Sequence, residues 1–351
     1  MKSRFLLFIG ILCVLIAGTV GSLMAQDVGN KRIGTAAGSE LLIPVGARDL
    51  AMGGASIATS WGIDAVHWNP AGLSRMSGSA EAMLSTMAYI ADIRVNYGAV
   101  GLKFGGFGSV GFSIKTLDVG DILLTTTDDP EGLAGRTFSP SMVVLGFTYA
   151  RSFTDAITAG GNIKLITENM QRVTGSALAI DVGIQYHGVA GFKGVQLGVA
   201  LKNVGPQMTF DGPGLLRLAT PTDSRRPTQY FQTKAASWEL PTSIELGLAY
   251  AREMGEAASY NFSGSYTNNN LALDSYKVGG EVMYKMSSIS LAARGGVELL
   301  DKGDLDEQIF GPAAGFGFTY KTTGIDLGLD FAYRTVDFFE SNKMFSLRLG
   351  F

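Results

Sequence analysis

The two histidines, His67 and His187, are the only imidazoles in the 351 residues, and they lie far apart in the chain. Neither has the spacing to a second ligand that a zinc site needs. The one cysteine, Cys13, sits inside an apolar N-terminal run, so a processed chain has no thiol for a disulfide, a metal or a nucleophile. No Gly-x-Ser-x-Gly elbow stands with a usable histidine. Gly105-Gly106-Phe107-Gly108 has the glycine density of a phosphate loop but lacks the following Lys-Ser/Thr and helix. These absences argue against an enzyme and against any cofactor or metal. A net charge of −3 supplies no concentrated basic surface for nucleic acid.

The chemistry left is charge, and its placement is ordered. Lys164, Asp181, Glu245, Arg294, Asp326, Asp330, Arg334 and Arg348, with Lys103, Lys115, Lys202, Lys277 and Glu281, fall on one parity of alternating segments. Ile325, Leu327, Leu329, Phe331 and Tyr333 interleave with Asp326, Gly328, Asp330, Ala332 and Arg334. Leu178, Ile180, Val182, Ile184 and Tyr186 interleave with Ala179, Asp181, Gly183 and Gln185. Successive strand side chains point to opposite faces, so each segment meets two different solvents.

The elements that position these charges are strands of unusual length. They run ten residues or more, enough for a tilted strand to cross a bilayer, where ordinary strands have about 5–6. Tyr and Phe gather at their ends, as in interfacial girdles, and the polar face is rich in Gly. Charged residues are only 17% of the chain against about 25% in soluble proteins. The pattern predicts fourteen strands at 78–90, 92–104, 106–117, 139–153, 155–170, 175–188, 193–204, 238–253, 257–268, 273–286, 288–300, 310–322, 323–337 and 342–351. Even-to-odd links are short, and every long link is odd-to-even, which is the rule for periplasmic turns and external loops. The expected fold is an all-β transmembrane antiparallel barrel, residues 78–351, in a bacterial outer membrane and surrounded by its lipid. The charged parity faces the lumen, because Lys or Arg toward lipid costs roughly 2–4 kcal/mol near the midplane.

Residues 1–25 read as a signal peptide: Lys2 and Arg4, an apolar core from Phe5 to Ala17, and small-residue cleavage before Gln26. Residues 26–77 do not alternate and are expected to form a hatch inside the barrel. They contain Gly46-Ala47-Arg48, then Ala51-Met52-Gly53-Gly54-Ala55, then Trp68-Asn69-Pro70-Ala71-Gly72-Leu73. Gly53-Gly54 permits tight turns and Asn69-Pro70 starts one. Arg48 is expected to pair with an inward carboxylate such as Asp326 or Asp330.

These two motifs, over about fifty residues, resemble the opening signature of the PorV/PorQ family, within the wider group of FadL-like outer-membrane transport proteins. The resemblance implies a fourteen-stranded barrel with an N-terminal hatch carrying the Asn-Pro-Ala-Gly turn. It implies two functions. PorV-like members act in type IX protein secretion, where they bind exported cargo and take it from the translocon to the cell surface. FadL-like members move hydrophobic molecules, such as lipid or fatty acid, through the barrel wall. Gly46-Ala47-Arg48 favours the first, with translocon and cargo proteins as partners. A sealed lumen with an apolar groove formed by the 205–240 loop would support it; an apolar site beside the hatch would support the second.

Overall fold

The computed structural model describes residues 34–222, 226–255, 257–301 and 308–351; the expected signal peptide lies outside them. Fourteen long strands form one closed barrel. They are β1 Ala80–Ala88, β2 Arg94–Lys103, β3 Ser109–Asp118, β4 Ser141–Ser152, β5 Ile157–Met170 and β6 Val173–His187. Next come β7 Val195–Val204, β8 Ser243–Met254, β9 Ala258–Asn269 and β10 Ser275–Lys285, then β11 Ile289–Leu300, β12 Phe310–Lys321, β13 Asp326–Val336 and β14 Asn342–Gly350. Each pairs antiparallel with its sequence neighbours, and β1 pairs with β14 from Glu81↔Gly350 to Ala88↔Lys343 to close the cylinder. Closure leaves no unpaired sheet edge in lipid, the condition for any sheet that spans a membrane.

Alternation puts bulky apolar groups outside. Leu84, Phe112, Ile163, Leu178, Phe262, Val278 and Phe316 are all more than half exposed. In water, so continuous an apolar surface would drive association; in a bilayer it is the anchoring band. No helix among the described residues is long and apolar enough to cross a membrane.

The strand limits match the expectation to within a few residues, with β8 the largest departure. It starts at Ser243, not 238, because Trp238 pairs with Met208 and Leu240 packs inside the barrel mouth. Pro241, with no N–H to give, ends any continuation of the ladder. The external loop after β7 also returns to the sheet: Thr209–Asp211 pairs with Ser176–Thr174 of β6, above the point where β7 leaves it. Its outer part is a hairpin of Leu216–Ala219 with Gln229–Gln232.

The described chain begins at the external mouth, where Ala37 N–H donates to the Glu239 carbonyl at 3.0 Å. A strap (Ser39–Leu42 is one 3-10 turn) runs down the lumen to helix α1, Ala47–Ala51. Helix α2, Ala65–Trp68, and a 3-10 segment, Pro70–Arg75, follow before β1 starts at the periplasmic end. The core therefore lies inside the barrel, with Val45, Leu50, Ile63, Val66 and Leu73 of the hatch packed on Met83, Met87, Val95 and Leu117 of the wall.

Candidate functional site

The hatch motifs are the points where the plug is stitched to the wall. Asn69 is fully buried; its amide donates to the Ile57 carbonyl (2.9 Å) and reaches the Ile184 and Val199 carbonyls (3.3 and 3.4 Å) of β6 and β7. Its Oδ1 accepts the Ala71 N–H at 3.2 Å, closing the turn that Pro70 starts. The turn lies so close to the wall that a Cβ on Gly160 of β5 would stand 2.6 Å from the Pro70 carbonyl oxygen, and one on Gly183 of β6 would collide with Asn69. Inside the hatch, Gly72 leaves room for the Ser60 carbonyl. On the opposite wall Gly53 (φ +65°) and Gly54 (φ +76°) turn the chain after α1, bringing the Met52 carbonyl against Gly279 and Gly296. The glycines of the lumenal parity are thus sites of backbone contact. Gly46 (φ +85°) leads into α1, the Ala47 N–H donates to Ser346 Oγ at 2.8 Å, and Trp68 Nε1 donates to the Val45 carbonyl at 3.0 Å.

Two ionic clusters fill the middle of the lumen. Lys164 meets Asp181 at 2.7 Å and Asn203 at 2.6 Å; Lys202 meets Glu245 at 2.8 Å. Lys277 lies between Glu245 (4.0 Å) and Glu298 (3.6 Å), and Lys115 donates to the strap carbonyls of Glu40 and Ile43 at 2.6 and 2.5 Å. His67 faces this cluster edge-on to Trp68 and beside a cavity of about 30 Å³. Burial first, then Lys115, Lys202, Lys164 and Lys277, holds its pKa well below the ordinary value. It packs rather than reacts.

The second cluster joins hatch to wall. Arg294 binds Glu281 and Asp330, each at 2.6 Å; Arg348 binds hatch Asp64 at 2.8 Å and Asp330 at 3.4 Å. Arg48 lies 3.6 Å from Glu281, and Arg48 and Arg348 both lie over the Trp61 ring, at 5.3 and 5.5 Å. Arg48 thus meets an inward carboxylate as expected, but it is Glu281 and not Asp326 or Asp330. Asp330 is taken by Arg294 and Arg348, and Asp326 sits at the periplasmic rim against Lys321 at 3.3 Å. Arg334 is separate again, near the external end, where it donates to Asn342 Oδ1 at 2.7 Å and lies over Phe310. Below the second cluster a vestibule of about 620 Å³ opens to the periplasm, lined by Trp61, Arg75, Glu81, Tyr260, Glu281 and Arg348 among others.

Above the clusters the lumen changes character. Met87, Val95, Leu117, Met142, Val144 and Ile166 face inward in the external half, with Met208 and Leu240 from the long loop. The strap's Leu41, Ile43 and Val45 fill this lining. Beside it Glu40 and Glu168 are buried together, and Gly38 N–H donates to Glu168 at 2.7 Å. Burial, then the charge of Glu168, pushes the Glu40 carboxyl up to about 7. Sequence reasoning missed this apolar lining and the hatch acids. The signal for the lining was present as runs that break the alternation, Met142-Val143-Val144-Leu145 and Leu165-Ile166.

No protein-family model matches the chain, and no curated protein is significantly similar to it. Solved structures are similar. A TodX deletion mutant, a monoaromatic hydrocarbon channel, superposes with TM-score 0.55 at 13% identity, over 88% of this chain and 98% of that one. The toluene transporter TbuX of Ralstonia pickettii gives 0.52 at 13% identity, over 88% and 98%. A FadL homologue of Pseudomonas aeruginosa gives 0.50 at 10% identity, over 88% and 98%. At such identities the likeness is one of fold. The fold shared with these solved structures is a closed fourteen-stranded barrel with an N-terminal segment inside its lumen, one that sits in the bacterial outer membrane.

Proposed function

We propose that the chain admits hydrophobic small molecules across the outer membrane. The observation that carries this is the apolar external half of the lumen. A pore for hydrophilic solutes has a polar interior, whereas sites for hydrophobic ligands are concave and mostly apolar. Inward Met87, Val95, Leu117, Met142, Val144 and Ile166 make such a site once the strap moves aside. The similar channels TodX and TbuX, described as carrying monoaromatic hydrocarbon and toluene, support the same ligand class. With this reading goes the division into a cleaved leader, residues 1–25, a hatch, 26–77, and the barrel, 78–351. The test is equilibrium binding of labelled toluene and of dodecanoate to the purified barrel in detergent. Saturable binding weakened by Met142→Glu supports the proposal; no saturable binding of either probe overturns it.

The secretion reading has one observation in its favour. Leu218 and Tyr230, 61% and 71% exposed, pair across the outer hairpin of the long external loop and offer a small apolar face to a protein. Native-membrane pull-down that recovers translocon components or cargo C-termini, lost on Leu218→Asp, supports that role; recovery of neither removes it.

A further inference from the structure

One cross-strand row on the lipid face changes from aromatic to polar. Phe316, Phe331 and Phe345 lie side by side on β12, β13 and β14, with ring centroids 5.4 and 4.8 Å apart. Across the β14–β1 seam the same row continues as Thr86, Asn96 and Thr116. The Thr86 hydroxyl donates to Asn96 Oδ1 at 2.9 Å. Three hydrogen-bonding side chains in a row facing lipid are costly unless something polar meets them. Directly below, Gly98 has no side chain and forms the floor between Leu84 and Ile114. The result is an outward hollow of about 740 Å³, walled on its other side by Phe345 and Leu347.

Directly above Phe345 and Asn96 stand Lys343 and Arg94, on either side of Ala88. Both are exposed, and neither makes an ion pair among the described residues. Asp118 is Arg94's neighbour on β3, and its carboxylate accepts the Gly120 N–H at 3.0 Å. Two cations against one carboxylate leave the site net positive. These strand ends are the external ones, so the site lies in the outer leaflet.

We propose that this seam binds a phosphorylated, acylated glycolipid of the outer leaflet. Lys343 and Arg94 hold its phosphates, the Thr86–Asn96–Thr116 row meets its amide or ester linkages, and one acyl chain lies over Gly98. The two cations stand two strand spacings apart, roughly 10 Å. That separation suits a head with more than one phosphate better than a single phosphodiester.

The experiment is native mass spectrometry of the purified, detergent-held barrel titrated with bisphosphorylated lipid A, with monophosphoryl lipid A and phosphatidylglycerol as separate arms. The expected order of retention is bisphosphorylated, then monophosphoryl, then phosphatidylglycerol. Removing both cations in R94A/K343A should weaken bisphosphorylated lipid A roughly thirtyfold. Gly98→Phe, which fills the hollow from the lipid side, should weaken all acylated ligands, and Lys193→Ala, in a periplasmic turn, should change nothing. If phosphatidylglycerol binds as tightly as lipid A, or R94A/K343A binds lipid A like the parent, the proposal fails. Should Gly98→Phe not fold, the charge variant decides.

Discussion

Replacing Gly160 by valine should dislodge the hatch while sparing the barrel. Gly160 faces the lumen from β5, and a Cβ there would sit 2.6 Å from the Pro70 carbonyl oxygen, 2.7 Å from its carbon and 2.9 Å from the Ala71 nitrogen. Ordinary contact needs about 3.5–4.0 Å, so the turn must retreat by roughly 1 Å for the Cβ alone and further for the γ-methyls. The obstacle is backbone, which has no rotamer to escape into. A shift of that size takes Asn69 beyond bonding range of the Ile184 and Val199 carbonyls, already at 3.3 and 3.4 Å. Losing these two hydrogen bonds costs roughly 1–3 kcal/mol. The strand itself tolerates valine, a good β former. In planar bilayers the variant should show raised conductance, and Arg48 of its hatch, buried in the parent, should become open to trypsin, while the unheated protein still migrates as a folded barrel. A folded variant with parental conductance and protease pattern would refute the reasoning.

Other outcomes follow from the same contacts. Arg294→Leu leaves Glu281 and Asp330 buried with less compensation and should cost about 3–5 kcal/mol in guanidinium unfolding of the refolded barrel; adding Glu281→Gln and Asp330→Asn should recover much of it. Arg48→Ala should loosen the hatch and raise its protease sensitivity, through Glu281 and Trp61, with little change in barrel unfolding. Strap docking should depend on pH through Glu40. Its pKa is raised in the folded state to about 7 from an ordinary value of 4.5, so the folded form binds the extra proton and its contribution is full below about 4.5. That contribution is lost as pH rises through about 7, so amide exchange at Leu41–Ile43, corrected for intrinsic rates, should show less protection at pH 8 than at pH 5, and Glu40→Gln should remove the difference. Intact mass of the processed protein should place its first residue at Gln26.

The barrel was readable because lipid and lumen impose opposite demands on neighbouring residues, and a period of two records both along Ile325–Arg334 and its counterparts. Loop lengths then fixed which ends face outward. The hatch was readable only as motifs: its contacts join residues hundreds of positions apart, such as Arg348 with Asp64 and Ala47 with Ser346. Spacing therefore named Arg48 but not its partner Glu281. Trp238 and Leu240 alternate with the next strand's pattern and so look like its start, although Trp238 pairs with Met208 and Leu240 packs with Met208 and the strap's Leu41. The apolar lining escaped because the inward parity was read as polar throughout, and Met142, Val144 and Ile166 were absorbed into longer apolar runs.

Uptake of labelled toluene and dodecanoate by cells that make the chain, against cells making a folded Met142→Glu variant, tests the hydrophobic path most directly. Faster uptake of at least one probe with the parent chain, returned to background by the variant and unmatched by any gain for a hydrophilic sugar, is the result expected. Equal uptake of both probes with and without the chain, in membranes shown to contain the folded barrel, would contradict it.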